Sequence, residues 1–158
     1  MKIPTFIKLI IAILISEIIG SIGSIFTISS IGRWYTTLAR PELAPPNWIF
    51  GPVWTTLFAL MGIASFLVWQ KGLENKKVRT ALVLFIIQFT LNILWSFVFF
   101  WLHNPGGAFI EIIFLWIAIF ATIISFFKVS KCAGYLLIPY ILWVSFAGYL
   151  NYMIWVLN

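Results

Sequence analysis

The sequence predicts an all-α integral membrane protein, a bundle of five transmembrane helices. Hydrophobic residues make up 63% of the 158 positions and charged residues only 9%. An ordinary soluble domain is about a quarter charged. A soluble chain of this length has no core large enough to hide so much apolar surface. The apolar residues also fall into five runs of about 20 residues or more, the length that crosses a hydrocarbon core of about 30 Å. With no water in that layer, backbone N–H and C=O groups must pair within each segment, which selects helices.

The first run is Thr5–Thr27, preceded by Lys2 and carrying Lys8. It resembles a secretory signal in outline, but it is too long for a signal core and contains Glu17. Ser16, Gly20 and Ser24 form a ridge of small residues suited to close helix contact, within the chain or across a dimer. Residues 28–46 connect the first two runs. Trp34, Tyr35, Pro41, Pro45 and Pro46 predict an ordered loop, a lid or a recognition surface rather than a slack connector. The second run, Asn47–Gln70, is stiffened at its entry by Pro45-Pro46, and Pro52 inside it is expected to kink it. The third is Val78–Trp101. The fourth, Pro105–Lys128, opens with Asn104 as N-cap and proline at the first helical position. The fifth, Cys132–Leu157, has Gly134 near its start, and Pro139 is expected to kink it. No composition shift or repeat divides the chain, so residues 1–158 read as a single five-helix transmembrane domain. Five spans do not form two equal halves, which argues against inverted-repeat transporter architectures.

Basic residues orient the bundle. With the N-terminus inside, the inside holds Lys2, Lys8, Lys71, Lys76, Lys77, Arg79, Lys128 and Lys131, and the outside only Arg33 and Arg40. The expected topology is N-inside and C-outside, with the aromatic loop outside. The net charge of +6 therefore reads as membrane topology, not as a nucleic-acid-binding face. Cys132 and His103 are the single residues of their kinds, so neither an internal disulfide nor a cysteine or paired-histidine metal site is expected. The four acids Glu17, Glu42, Glu74 and Glu111 lie on different segments. No nucleophile–histidine–acid pattern or phosphate-cradling glycine loop is present, so no catalytic constellation is expected.

Several side chains stand out as site candidates. Gln88, Asn92 and Ser96 lie on one face of the third run, where polar groups bond neighbouring helices or line a cavity. Phe50, Trp54 and Phe58 share a face of the second run. Trp54 lies roughly 12 Å below the Pro46 entry. Tyr140, Trp143, Ala147 and Asn151 share a face of the fifth run. Trp34, Trp48, Trp69, Trp101 and Trp155 stand at helix ends, as interface anchors do. Trp54, Trp95 and Trp143 are too deep for that role. Outer-half positions of the second, third and fifth runs thus converge under the loop, describing a site for a flat, largely apolar ligand or a well-packed aromatic core. Glu17 lies mid-span with no deep basic partner, so a neutral carboxyl or a bond to Ser, Thr or backbone is expected. Glu111, in the second turn of the fourth helix, complements the helix dipole.

Trp34-Tyr35-x-x-Leu38-x-Arg40-Pro41-x-x-x-Pro45-Pro46-x-Trp48-x-Phe50-Gly51-Pro52-Val53-Trp54 resembles the signature of the TspO/MBR family. These are the tryptophan-rich sensory proteins related to the mitochondrial translocator protein, or peripheral-type benzodiazepine receptor. Leu91-Asn92-x-x-Trp95-Ser96 and Pro139-Tyr140-x-x-Trp143-x-x-Phe146-Ala147-x-Tyr149-Leu150-Asn151 extend the resemblance over nearly the whole chain. It implies a five-helix bundle, often a homodimer, that binds tetrapyrroles such as protoporphyrin IX and haem, and benzodiazepine- or isoquinoline-type ligands. The implied ligand-binding residues are Tyr35, Pro45, Phe50, Trp54, Asn92, Trp95, Trp143 and Ala147. Animal members carry a cholesterol-recognition motif with a basic residue after a C-terminal tyrosine. After Tyr152 this chain has no Lys or Arg, which argues against cholesterol through that motif and for a prokaryotic cell membrane as its setting.

The resulting expectation is a membrane receptor or sensor holding porphyrin under the loop, with porphyrin or haem as ligand and no required cofactor. One alternative is light- or oxygen-dependent porphyrin degradation, with Trp54 and Trp143 as redox-active indoles and the protein positioning a photoreactive ligand. Another is porphyrin or sterol transport.

Overall fold

The computed structural model describes residues 3–158; Lys2, counted above among the inside cations, lies outside the described residues. Helix α1 spans Thr5–Ile31 and is followed by the short helix α2, Trp34–Thr37. A 3-10 turn at Asn47–Ile49 leads into α3, Phe50–Trp69. Helix α4, Lys76–Ser96, ends in a π-helical turn at Phe97–Trp101, and α5 covers Pro105–Phe127. Helices α6, Lys131–Leu136, and α7, Ile138–Leu157, complete the chain. Together they give five segments long and apolar enough to cross a membrane. The protein is an integral, multi-pass membrane protein with no strand among the described residues.

Local chemistry sets the helix ends. The Asn75 side chain accepts from the Lys77 N–H at 2.9 Å, so α4 starts before Val78. Asn104 caps α5 by accepting from the Gly107 N–H at 2.9 Å. Ser130 caps α6 through the Ala133 N–H. The two expected proline kinks turn out differently. Pro52 lies in the first turn of α3, where its missing N–H has no helical partner to lose, so it helps to start the helix instead of bending it. Pro139 does interrupt the fifth span: the helix breaks at Leu137 and restarts as α7 with the proline in its first turn.

Helix α1 packs against α3, α4 and the π turn, while α5 packs on α4, α6 and α7. The buried face of α1 is made of Ala12, Ser16, Gly20, Gly23 and Ser30. Its other faces display Ile10, Leu14, Ile18 and Ile25, each about half exposed or more, as a lipid-facing surface requires. The small ridge therefore serves packing within the chain. A Cβ on Gly62 of α3 would lie 2.7 Å from the Ile13 Cα, so the α1 and α3 backbones approach too closely for any other residue there. The Ser16 hydroxyl donates to the Phe58 carbonyl at 2.7 Å across the same contact. Gly23, not Ser24, is the third buried member, facing Ser96 of α4.

Candidate ligand site beneath the first loop

The loop is pinned at several points. The Trp34 ring stacks on His103 at a centroid distance of 4.3 Å and meets Phe99 edge-on at 5.7 Å. His103 adopts φ 50°, unusual for a non-glycine residue, in the turn between the π segment and α5. The Asn158 side-chain amide accepts from the Ala39 N–H and donates to the Ala39 carbonyl, both at 3.0 Å. The Arg40 guanidinium lies over the Tyr35 ring at 5.1 Å and donates to Asn47 at 3.4 Å. Asn47 in turn donates to the Ile31 carbonyl at the end of α1. Tyr35 points inward and is only 3% exposed. Burial raises its phenol above the ordinary value, and the Arg40 charge opposes part of that rise.

Beneath Tyr35 lies a small void of about 30 Å³, bounded by Phe50, Trp95, Phe99, Phe100, Ala147 and Asn151 among others. This is far below the few hundred Å³ of a ligand pocket. The π turn, a run of Phe, Val and Trp, supplies Phe99 and Phe100 as its wall. A second and larger space opens beside it. A groove of about 400 Å³ runs between α1 and α3, lined by Phe50, Trp54, Phe58 and Trp48 on one side and Glu17, Ser21, Ser24 and Thr27 on the other. Trp54 stacks on Phe58 at 5.4 Å and meets Tyr140 edge-on at 6.3 Å. Phe50 joins the two spaces, lying 6.2 Å from Tyr35 and 6.1 Å from Trp143.

The eight ligand residues read from the sequence divide accordingly. Tyr35, Phe50, Trp95 and Ala147 bound the void, and Phe50 and Trp54 bound the groove. Trp143 stands behind Phe50 against Phe146. Pro45 is set apart, in a separate surface depression with Leu38, Arg40 and Pro41. Asn92 is committed to the core: it donates to the Tyr140 hydroxyl at 3.2 Å, and that hydroxyl donates to Gln88 at 2.8 Å. Trp95 is a tie between helices. Its indole N–H donates to Asn151 at 2.9 Å, and Asn151 donates to the Pro105 carbonyl at 2.7 Å.

Sequence reasoning missed the α1 side of the groove. Glu17, Ser21, Ser24 and Thr27 lie near-helically spaced on one face, a signal present in the chain but read only as a lone acid and a small ridge. The three hydroxyls turn back to carbonyls of their own helix. Glu111 stands in the second turn of α5. Both its carboxylate oxygens are enclosed without a hydrogen-bond partner among the described residues, as is Gln88 Nε2.

An all-helical, five-span membrane bundle with aromatic-lined spaces between its helices is the class of protein these features define. Residues 12–156 match the model of the TspO/MBR family. The chain is 46% identical to the tryptophan-rich protein TspO of Chlorobaculum tepidum over 140 residues, 89% of each chain. It is 43% identical to the protein of the same name from Archaeoglobus fulgidus, over 96% of this chain and 97% of that one. Similarity extends to the human translocator protein, at 38% identity over 85% of this chain and 80% of the human one. The chain belongs to the TspO/MBR family.

Proposed function

We propose that this protein is a membrane receptor or sensor for tetrapyrroles, protoporphyrin IX or haem, which also accepts flat benzodiazepine- and isoquinoline-type ligands. The observation that carries this is the half-buried Trp54 ring, stacked on Phe58 and facing a groove of about 400 Å³. A flat macrocycle gains apolar burial and ring stacking there. The relatives' names, tryptophan-rich sensory protein and translocator protein, are in keeping with a ligand-responsive membrane protein. The small void under Tyr35 enlarges in this reading as the ligand pushes between Tyr35, Phe50 and Trp143, with the Arg40–Tyr35 contact as the movable part. The bundle sits N-inside with the loop outside, as the basic residues dictate.

A panel of haem, protoporphyrin IX and cholesterol, titrated against the protein in detergent, tests the ligand class. Saturable binding of the tetrapyrroles at micromolar concentration or below is expected. Saturable binding of cholesterol alone would overturn the assignment.

Light- or oxygen-dependent porphyrin degradation is the second reading. Its support is that neither the Trp54 nor the Trp143 indole N–H is held in a hydrogen bond among the described residues, unlike that of Trp95. Bleaching of the porphyrin absorbance band under illumination should then slow in the Trp54→Phe, Trp143→Phe double variant. An equal rate rejects it.

A further inference from the structure

A second groove, remote from the loop, has no part in the site above. It has a volume of about 340 Å³ and runs between α1, α3 and α4, bounded by Ser16, Ile19, Ser65, Trp69, Phe85 and Phe89 among others. Ile15 and Ile86 flank its mouth and are 50% and 63% exposed, so it opens to the lipid. Its serine hydroxyls are taken: Ser16 is bonded to the Phe58 carbonyl and Ser65 to the Gly62 carbonyl. On α1 it reaches from Ala12 to Ile19 and on α4 from Leu82 to Phe89. Each stretch is about 10 Å long, a third of the hydrocarbon core.

One end of the groove is charged. Lys8 holds its ammonium 5.6 Å from the centroid of the Trp69 ring, and Trp69 lines the groove. Because α1 and α3 run antiparallel, Lys8 lies at the same end of the bundle as Lys71, Lys76, Lys77 and Arg79 of the following connection. An indole at the polar–apolar boundary with a lysine above it is suited to a phosphate head over a buried hydrocarbon chain. A sterol carries no charge to pair with the Lys8 ammonium, and a zwitterionic lipid would not use the excess of cations.

We propose that this groove is a binding site for an anionic phospholipid, one acyl chain lying between α1, α3 and α4 and the phosphate paired with Lys8. Phospholipids brominated near the headgroup end of the acyl chain quench nearby indoles and report the site directly. In detergent micelles, brominated phosphatidylglycerol should quench the Trp69 share of the fluorescence, defined by its loss in Trp69→Phe. Half-quenching is expected at about 5-fold lower mole fraction than with brominated phosphatidylcholine, the factor one lysine near an anionic surface supplies. Lys8→Gln should abolish that preference. Ser65→Phe, which fills the groove, should remove the quenching by both lipids while far-UV circular dichroism reports an intact bundle. If Ser65→Phe does not fold, Lys8→Gln at the rim decides alone. Equal quenching by the two lipids, or a preference unchanged in Lys8→Gln, overturns the proposal. Displacement of the brominated lipid by cholesterol at lower mole fraction would assign the groove to a sterol and overturn it as well.

Discussion

Replacing Gly20 by alanine puts a Cβ 2.4 Å from the Phe58 ring. Phe58 has nowhere to go: it is 5% exposed and stacked between Trp54 at 5.4 Å and Phe89 at 5.7 Å. Either α1 lifts from α3 or the stack shifts, and overpacking of this kind costs about 1–3 kcal/mol. The helix-propensity gain of alanine over glycine returns about 1 kcal/mol. Gly148→Ala, inside α7, is the matched control, because its new Cβ meets only the Ile112 side chain at 3.9 Å, an ordinary contact, and it keeps the whole propensity gain. The two variants should therefore differ in stability by about 1–3 kcal/mol, Gly20→Ala being the weaker. Unfolding in a single detergent, followed by circular dichroism, measures this. Since Phe58 supports Trp54, porphyrin affinity should fall in Gly20→Ala and hold in Gly148→Ala. Equal stability of the two variants would refute the close seating of α1 on Phe58 and the link from that contact to the groove wall.

Trp95→Phe removes the donor to Asn151 and leaves a buried carbonyl oxygen without its partner, so the bundle should lose about 1–3 kcal/mol in the same unfolding assay. The raised Tyr35 phenol gives the closed loop a pH limit. Its proton is retained by burial, so this contribution is fully present below the ordinary tyrosine value of about 10 and is lost as pH rises through the higher folded value. Protease cleavage within residues 36–46 should stay constant from neutral pH to about 10 and increase above it; an increase already at neutral pH would exclude Tyr35 as the latch. A cysteine at Thr37, in a Cys132→Ser background, should react with an impermeant thiol reagent from outside the cell. Labelling only from the cytoplasmic side would reverse the orientation.

The spans were legible because their signal is additive: twenty or so apolar residues outweigh any single exception. Features set by a few atoms were harder to read. Pro52 looked like a kink because its distance from the helix start was misjudged by a turn; the 3-10 turn at Asn47–Ile49 takes up the first residues of that run. The α1 ridge was visible as small residues, but its register on α3 depends on Gly62 and Phe58, which no periodicity on α1 reveals. Asn92 and Tyr140 each stood out on its own helix, and only the bundle shows that they bond each other. The groove between α1 and α3 escaped notice because its wall mixes polar and aromatic residues from two helices. The void under Tyr35 is walled by a loop side chain together with the π turn's Phe99 and Phe100, and side-chain direction within a loop is not written in hydropathy.

The most direct test of the aromatic site is a protoporphyrin IX titration of the wild type, Trp54→Ala and Trp143→Ala, followed by the porphyrin absorbance band. Loss of a stacked indole should weaken binding at least about 5-fold in each variant, the equivalent of roughly 1 kcal/mol of aromatic contact. Identical titration curves for all three proteins, each with an intact circular dichroism spectrum, would contradict a porphyrin site built on these two tryptophans.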